Sequence, residues 1–258
     1  MKAVIKSLAR SFGYEVRRYT PPRDQAEIAR CSFRSDHYVR GDLRRLEHLA
    51  SLGIPVAGKS VLDVGAGIGD HSTYYLDRGC RVVMTDARSV NLDVLSNRFP
   101  GHTVGNLNLE DPQPLHLGRF DVIHCYGVLY HLADPSKAIA FLAEQCNGLM
   151  LVETCVSFGA ELALNPVQES RDDFTQSFSG VGCRPTRPWI IAELRKGFPY
   201  VYCTVTQPNH EDFPVDWTAP QKHKSSYGNI RAVFVASMYP LHNDLLTTSI
   251  PEKQPRQT

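Results

Sequence analysis

The residues able to do chemistry gather in two stretches. The first runs from Lys59 to Asp86, KSVLDVGAGIGDHSTYYLDRGCRVVMTD, where a β-forming run breaks into Gly65, Gly67 and Gly69 and a second apolar run ends on an acid. Glycines there let the main chain approach a ligand that a side chain would hold off. A helix beginning just after them turns free N–H groups toward that ligand. Asp86, about twenty residues after the turn, stands where a carboxylate accepts hydrogen bonds from ribose hydroxyls. The chemistry so far is recognition of a nucleoside. The Lys and Ser/Thr of a phosphate loop do not follow the glycines, which argues against ATP or GTP. Asp70 stands where the third glycine of the dinucleotide fingerprint would lie. Asp63, inside the strand just before the turn, suits a ligand carrying positive charge.

The second stretch is FDVIHCYGVLYHLADP, Phe120 to Pro135. It predicts a strand over 120–125 and a loop at its carboxyl end, the edge at which open α/β sheets bind ligands. Tyr126, Gly127, Tyr130 and His131 are expected to face the site. His131 is either a general base or a brace for the helix that Asp134 and Pro135 start. Glu153, at the end of GLMLVETC, is aimed at the same pocket or pairs with a basic neighbour. His71 is a further, weaker candidate for the base.

These residues need a frame of alternating strands and helices. Strands are expected at 81–85, in HTVGNL, at 120–125, in GLMLVETC, at 200–205 and in NIRAVFVASM, besides the one ending at Val64. Helices are expected at 70–78, 89–98, from Asp134 to about Gln145 and from Thr186. Before the strand ending at Val64, residues 2–12 predict a short basic helix. TPPRD breaks it, and a helix from Asp36 to Leu52 follows, with Leu43, Leu46, Leu49 and Leu52 at helical spacing and Gly53 ending it. The reading is one α/β unit of seven mostly parallel strands with helices on both faces. An N-terminal helical cap (1–55) precedes the main domain (56–239). A polar stretch at about 156–185 reads as a substrate lid, and residues 240–258 read as a disordered tail.

VLDVGAGIG followed by Asp86 resembles the first motif of the class I S-adenosylmethionine (AdoMet)-dependent methyltransferases, and the likeness extends through FDVIHCYGVLYHLADP and LVETC. It implies AdoMet, with Asp63, Gly65, Gly67 and Gly69 near its methionine part, Asp86 on its ribose, Asn108 at the adenine amino group, and Ala66, Ala87, Leu109 and Tyr126 also at the cofactor. GVLYH, PTRPWIIAELRKGF, DFPVDW and IRAVFVA are similar in order and spacing to the tRNA wobble-uridine carboxymethyl/methyl transferase-like group. That resemblance implies Tyr130 and His131 beside the transferred carbon. It also implies that Arg231 pairs with a carboxylate on carboxy-AdoMet. Those enzymes carry a longer N-terminal region with a lysine for that carboxylate, so plain AdoMet is the expected donor here. O-methylation of a small molecule or glycan intermediate is the leading reading. tRNA modification and a non-catalytic AdoMet-binding role are the alternatives.

Composition narrows the classes further. The 258 residues carry a net charge of +1, so no global field draws in nucleic acid, although arginines crowd the first fifty positions. No apolar run is long enough to span a bilayer, no secretory signal is seen, and a cytoplasmic protein is expected. Seven cysteines lack ligand spacing and read as reduced thiols. No metal cluster is expected.

Overall fold

A computed structural model describes residues 24–218 and 229–257. The basic helix expected at 2–12 lies outside the described residues. Two helices open the described chain, α1 (Gln25–Phe33) and α2 (Asp36–Ser51). Asp24 caps α1 by accepting from the Ala26 N–H at 3.0 Å, and Gly53, with φ +61°, follows the end of α2. Then come β1 (Ser60–Val64), α3 (Ser72–Leu76), β2 (Arg81–Asp86), α4 (Ser89–Arg98), β3 (Thr103–Asn106) and β4 (Phe120–Tyr126). A turn of 3₁₀ helix, Leu129–His131, leads to α5 (Pro135–Glu144), β5 (Cys146–Cys155), β6 (Pro166–Gln168), β7 (Val181–Cys183), α6 (Arg187–Gly197), β8 (Tyr200–Thr204), β9 (Arg231–Ser237) and β10 (Leu246–Thr247).

The main sheet has the order β10-β8-β9-β5-β4-β1-β2-β3. Strands β3, β2, β1, β4 and β5 are parallel, whereas β9, β8 and β10 join antiparallel. Val61, Leu62, Val122, Ile123, Met150 and Leu151 are wholly buried because helices cover both faces, which is why the central strands read as continuous apolar runs. One face packs on Ala138, Ile139 and Leu142 of α5 and Ile190 and Leu194 of α6. The other meets Leu49 of α2, Tyr75 of α3 and Leu95 of α4. The order reverses between β1 and β4, so their carboxyl ends leave a crevice at that switch point.

Three expectations need correction. The sheet has eight strands rather than seven, because β10 adds an edge to β8. It lies in the tail read as disordered. Residues 240–257 are instead pinned by polar anchors: Asn243 Nδ2 donates to Leu52 O at 2.7 Å. Buried Gln254 donates to Thr204 O and accepts from Trp217 Nε1 at 2.8 Å. Composition alone hides such anchors, since each is a single amide matched to a distant partner. Third, the irregular stretch at 156–185 contains the small β6-β7 hairpin. Among the described residues no helix is long and apolar enough to cross a membrane. Cys31 is exposed and the other six cysteines are buried free thiols.

Candidate active site

The turn after β1 works through backbone approach. Gly65 and Gly67 have φ of +63° and +57°. A Cβ on Gly65 would lie 2.5 Å from Val128 Cγ2, and one on Gly67 would lie 2.8 Å from the Phe33 ring. Asp86, at the end of β2, closes the turn: its Oδ2 accepts the Gly67 N–H at 3.0 Å. Its Oδ1 accepts from the Arg88 N–H at 2.9 Å and from Asn91 Nδ2 at 3.2 Å. Burial pushes the Asp86 carboxyl up, and these hydrogen bonds oppose the rise. A carboxylate has about four acceptor sites, so three donors leave it capacity for a hydroxyl.

A cleft opens over this turn and is lined by Gly65, Gly67, Asp86, Asn108, Leu109 and His131. Ala87 lines it too, as do Phe174 and Phe178 of the 156–185 segment. Arg88 holds that segment in place: its guanidinium donates to Arg171 O at 3.1 Å and Ser177 O at 3.1 Å. Asn108 stands in the cleft wall as expected, but its Oδ1 already accepts the Glu110 N–H at 3.0 Å. One lone pair of that oxygen remains.

A second cleft shares Gly65 and Gly67 with the first and reaches Asp42, Arg45, Asp63, His71, Ala66 and Tyr126. Asp63 is 2 % exposed, and its Oδ2 accepts from Ser72 Oγ at 2.5 Å. Burial pushes its carboxyl up to about 6. The Tyr126 hydroxyl and Asn91 Oδ1 are buried without a hydrogen-bond partner. Gly69 does not face a ligand; a Cβ there would strike Phe99 and Leu95 of the α4 layer. His71 turns inward, its Nδ1 within 3.0 Å of His124 Nε2, while His124 Nδ1 meets the Tyr75 hydroxyl at 2.8 Å. This buried chain, beside Asp42 at 3.4 Å from Nε2, takes His71 away from the first cleft.

Of the two roles open to Glu153, the structure shows the pairing with basic neighbours and not the catalytic one. It is fully buried and held between two guanidiniums: Arg45 Nη1 donates to Oε2 at 3.0 Å, and Arg231 Nη1 donates to Oε1 at 3.0 Å and Oε2 at 3.2 Å. Burial works against the carboxylate, but Arg231 and Arg45 hold it below its usual range. Both oxygens are committed, so it acts as an anchor for β9 and α2 rather than as a base. Arg231 Nη2 also donates to the Tyr130 hydroxyl at 3.0 Å, and its Nε lies 3.5 Å from Asp212 Oδ2. Arg45 pairs in addition with Asp42. Burial pushes the Tyr130 hydroxyl up to about 12, so it is a neutral donor at physiological pH. His131, by contrast, lies in the first cleft with its Nδ1 hydrogen-bonded to Glu169.

Two of these partners left a trace in the sequence. Asp42, Arg45, His48 and Leu49 form the buried side of α2, while Leu43 is 56 % exposed. The i, i+3 run of polar residues marks a charged inner face that a count of leucines overlooks. Glu169 and Arg88 carry no such mark, because their partners are joined only by the fold.

Comparison with known proteins gives the family and the fold. The family model described as a methyltransferase domain matches residues 35–185. The chain belongs to the methyltransferase domain family, as a class I AdoMet-dependent member. Within it, the chain is 30% identical over 205 residues to a tRNA U34 carboxymethyltransferase of Pasteurella multocida, covering 72% of this chain and 58% of that protein. It is 28% identical over 238 residues to one of Actinobacillus succinogenes, covering 80% and 68%. This methyltransferase-family chain thus spans little more than half the length of the first of these relatives. Its fold is shared with the N-terminal domain of EvdMO1, crystallised in the presence of SAH and D-fucose (TM-score 0.55, 16% identity, 92% of this chain and 96% of that one). It is shared also with an AdoMet-dependent methyltransferase from Mesorhizobium loti (TM-score 0.55, 15% identity, 75% and 97%).

Among the described residues, His37, His210 and Glu211 bring possible metal-ligand atoms within 4.8 Å of one another. The His37 and His210 rings meet edge to face with centroids 5.8 Å apart, and His210 Nε2 is buried without a hydrogen-bond partner. His210 Nδ1 accepts the Asp212 N–H at 3.2 Å, which leaves the ring proton on Nε2, and Arg40 already pairs with Glu211.

Proposed function

We propose that the chain transfers the methyl group of AdoMet to a hydroxyl, with a wobble-position nucleoside of tRNA as the acceptor. The observation that carries the reading is the first cleft, where the glycine turn and Asp86 share one cavity with the His131 imidazole. The donor fits the residues present: Gly65 and Gly67 line the cleft with bare main chain, and a Cβ at either would run into Val128 or Phe33 beside it. Asp86 has acceptor capacity for ribose hydroxyls, Ala87, Asn108 and Leu109 border the adenine position, and buried Asp63 and the unpartnered Tyr126 hydroxyl stand toward the methionine end. When bound, AdoMet supplies a methyl carbon activated by the sulfonium. The residues of the chain align that carbon with the acceptor, a contribution on the order of several kcal/mol. His131 takes the hydroxyl proton at Nε2 as the oxygen–carbon bond forms and the carbon–sulfur bond breaks.

The charge balance beside the cleft supports AdoMet over its carboxylated form. Arg45 and Arg231 face Asp42, Glu153 and Asp212, so Arg231 is neutralised from within and the surplus is negative. That surroundings favours a sulfonium over a further carboxylate. The acceptor class follows the names of the relatives and the sequence of the first 44 residues, which hold ten Lys and Arg against five Asp and Glu. A small-molecule or glycan hydroxyl is the second reading. Phe174 and Phe178 favour it, because they bring apolar rings of residues 156–185, read as a lid, to the wall of the cleft. A cytoplasmic setting accords with either acceptor. The test is incubation with AdoMet or carboxy-AdoMet and either tRNA or candidate small hydroxyl compounds, followed by mass spectrometry of nucleosides and products. A methylated wobble nucleoside is expected; a carboxymethyl product overturns the donor, and a modified small molecule alone overturns the acceptor. No transfer to any acceptor, with AdoMet bound, returns the chain to a non-catalytic binding role.

A further inference from the structure

Glu169 follows directly on β6 and was silent in the sequence. Its side chain is 3% exposed and gathers three donors: the His131 ring at Nδ1, the Ser177 N–H at 2.9 Å and Arg184 Nη1 at 3.2 Å. The pocket is built closely around it, since a Cβ on Gly182 would lie 2.8 Å from Glu169 Oε1. Arg184 also donates to Tyr130 O at 3.3 Å and lies over the Tyr130 ring at 5.1 Å. One carboxylate therefore joins the 156–185 segment to the loop after β4.

We propose that Glu169 is the positioning residue for His131, fixing the Nδ1–H tautomer so that the Nε2 lone pair is presented to the acceptor. The reason is elementary. An ionised carboxylate only accepts, so the shared hydrogen sits on Nδ1, and a neutral imidazole protonated there has its acceptor at Nε2. His131 lines the cleft that Asp86 and the glycine turn also line. Glu169 stays ionised: burial pushes it up, but the His131 hydrogen bond, the Ser177 N–H and Arg184 hold it below its usual range. The groups around His131 are Glu169 and Arg184 from the 156–185 segment, Arg231 from β9, the adjoining Tyr130 ring at 3.9 Å and Glu110 across the cleft. Burial lowers the imidazole below its usual value, Arg231 and Arg184 act in the same direction, and Glu169 opposes them. The inference rests on the reading of His131 as the base and adds what makes it one. Because Glu169 arrives on the segment that covers the cleft, the base is set only with that segment in place.

The experiment is nitrogen NMR of histidine-labelled full-length protein with S-adenosylhomocysteine, paired with turnover of wild type, Glu169→Gln, Glu169→Ala and His131→Asn. The wild type is expected to show Nδ1–H for His131 near neutral pH, a reading that needs no variant to fold. Glu169→Gln, whose single oxygen cannot serve three donors, should mix the tautomers and lower the His131 pKa. Turnover should fall about tenfold or more with donor affinity unchanged, and the acid limb of the rate profile should move to lower pH. An Nε2–H tautomer in the wild type, with His131→Asn inactive, overturns the positioning role alone. An unchanged tautomer and pKa in both Glu169 variants does the same. Full turnover by His131→Asn overturns the base reading, and this inference with it.

Discussion

Glu153→Gln is the perturbation that tests the charged anchor beneath the cleft. The substitution keeps the shape of the side chain and removes the charge that Arg45 and Arg231 share at 3.0 Å each. Breaking a buried pair by removing one partner costs about 3–5 kcal/mol. Here Asp42 still faces Arg45 and Asp212 still faces Arg231, so the lower end, about 3 kcal/mol, is expected. For a chain of this length each kcal/mol moves Tm by about 2–4 °C, which makes the expected fall about 6–12 °C. The sign with pH follows from the direction of the shift. The folded carboxyl lies below its unfolded value, so its contribution is complete above the unfolded pKa, about 4.3, and disappears as pH falls through the folded value. Urea unfolding of wild type and Glu153→Gln across pH 7 to 3 should show a constant gap that closes only at the acid end. A gap below about 1 kcal/mol at pH 7 would show that the two remaining carboxylates suffice. A gap that persists undiminished into strong acid would show that Glu153 acts through packing and not through charge.

Asp86→Ala should weaken AdoMet binding by about 1–3 kcal/mol in calorimetry, the worth of hydrogen bonds to a charged group; unchanged affinity removes Asp86 from the donor site. Gly67→Ala should cost about 1–2 kcal/mol in backbone strain and impair donor binding as well, since its Cβ meets the Phe33 ring. Gly53→Ala, at φ +61° with open space around it, is the control that should show the strain without the binding loss. Arg231→Ala should weaken AdoMet and carboxy-AdoMet to similar extents, because its partner is Glu153; a selective loss of the carboxylated donor overturns that. Turnover on a hydroxyl acceptor should fall only at a pH below the ordinary histidine range, because burial lowers the His131 imidazole. His131→Asn should abolish that acid limb together with most of the rate, and a full rate with the limb intact would remove the base.

What the sequence made legible is what a local rule enforces. The glycine turn with Asp86, the parallel strands buried on both faces, and the loop carrying Tyr130 and His131 each announce themselves within about thirty residues, the length of one βαβ unit. Thr186 was legible for the same reason: its Oγ1 accepts from the Trp189 N–H at 3.4 Å at the head of α6. Illegible were the matches that only the assembled fold creates, such as Glu169 with His131 across 38 positions and Arg45 with Glu153 across 108. The tail belongs with them, for Gln254 looks like any polar terminal residue until Thr204, Trp217 and Arg187 surround it. The division has a physical cause. A turn or a cap is paid in local backbone geometry, while a buried charge is tolerated only once its partner arrives from elsewhere. Sequence motifs therefore locate the side of the cleft that main chain shapes, at Gly65 and Gly67, and leave the other side to be read from the side chains that converge on His131.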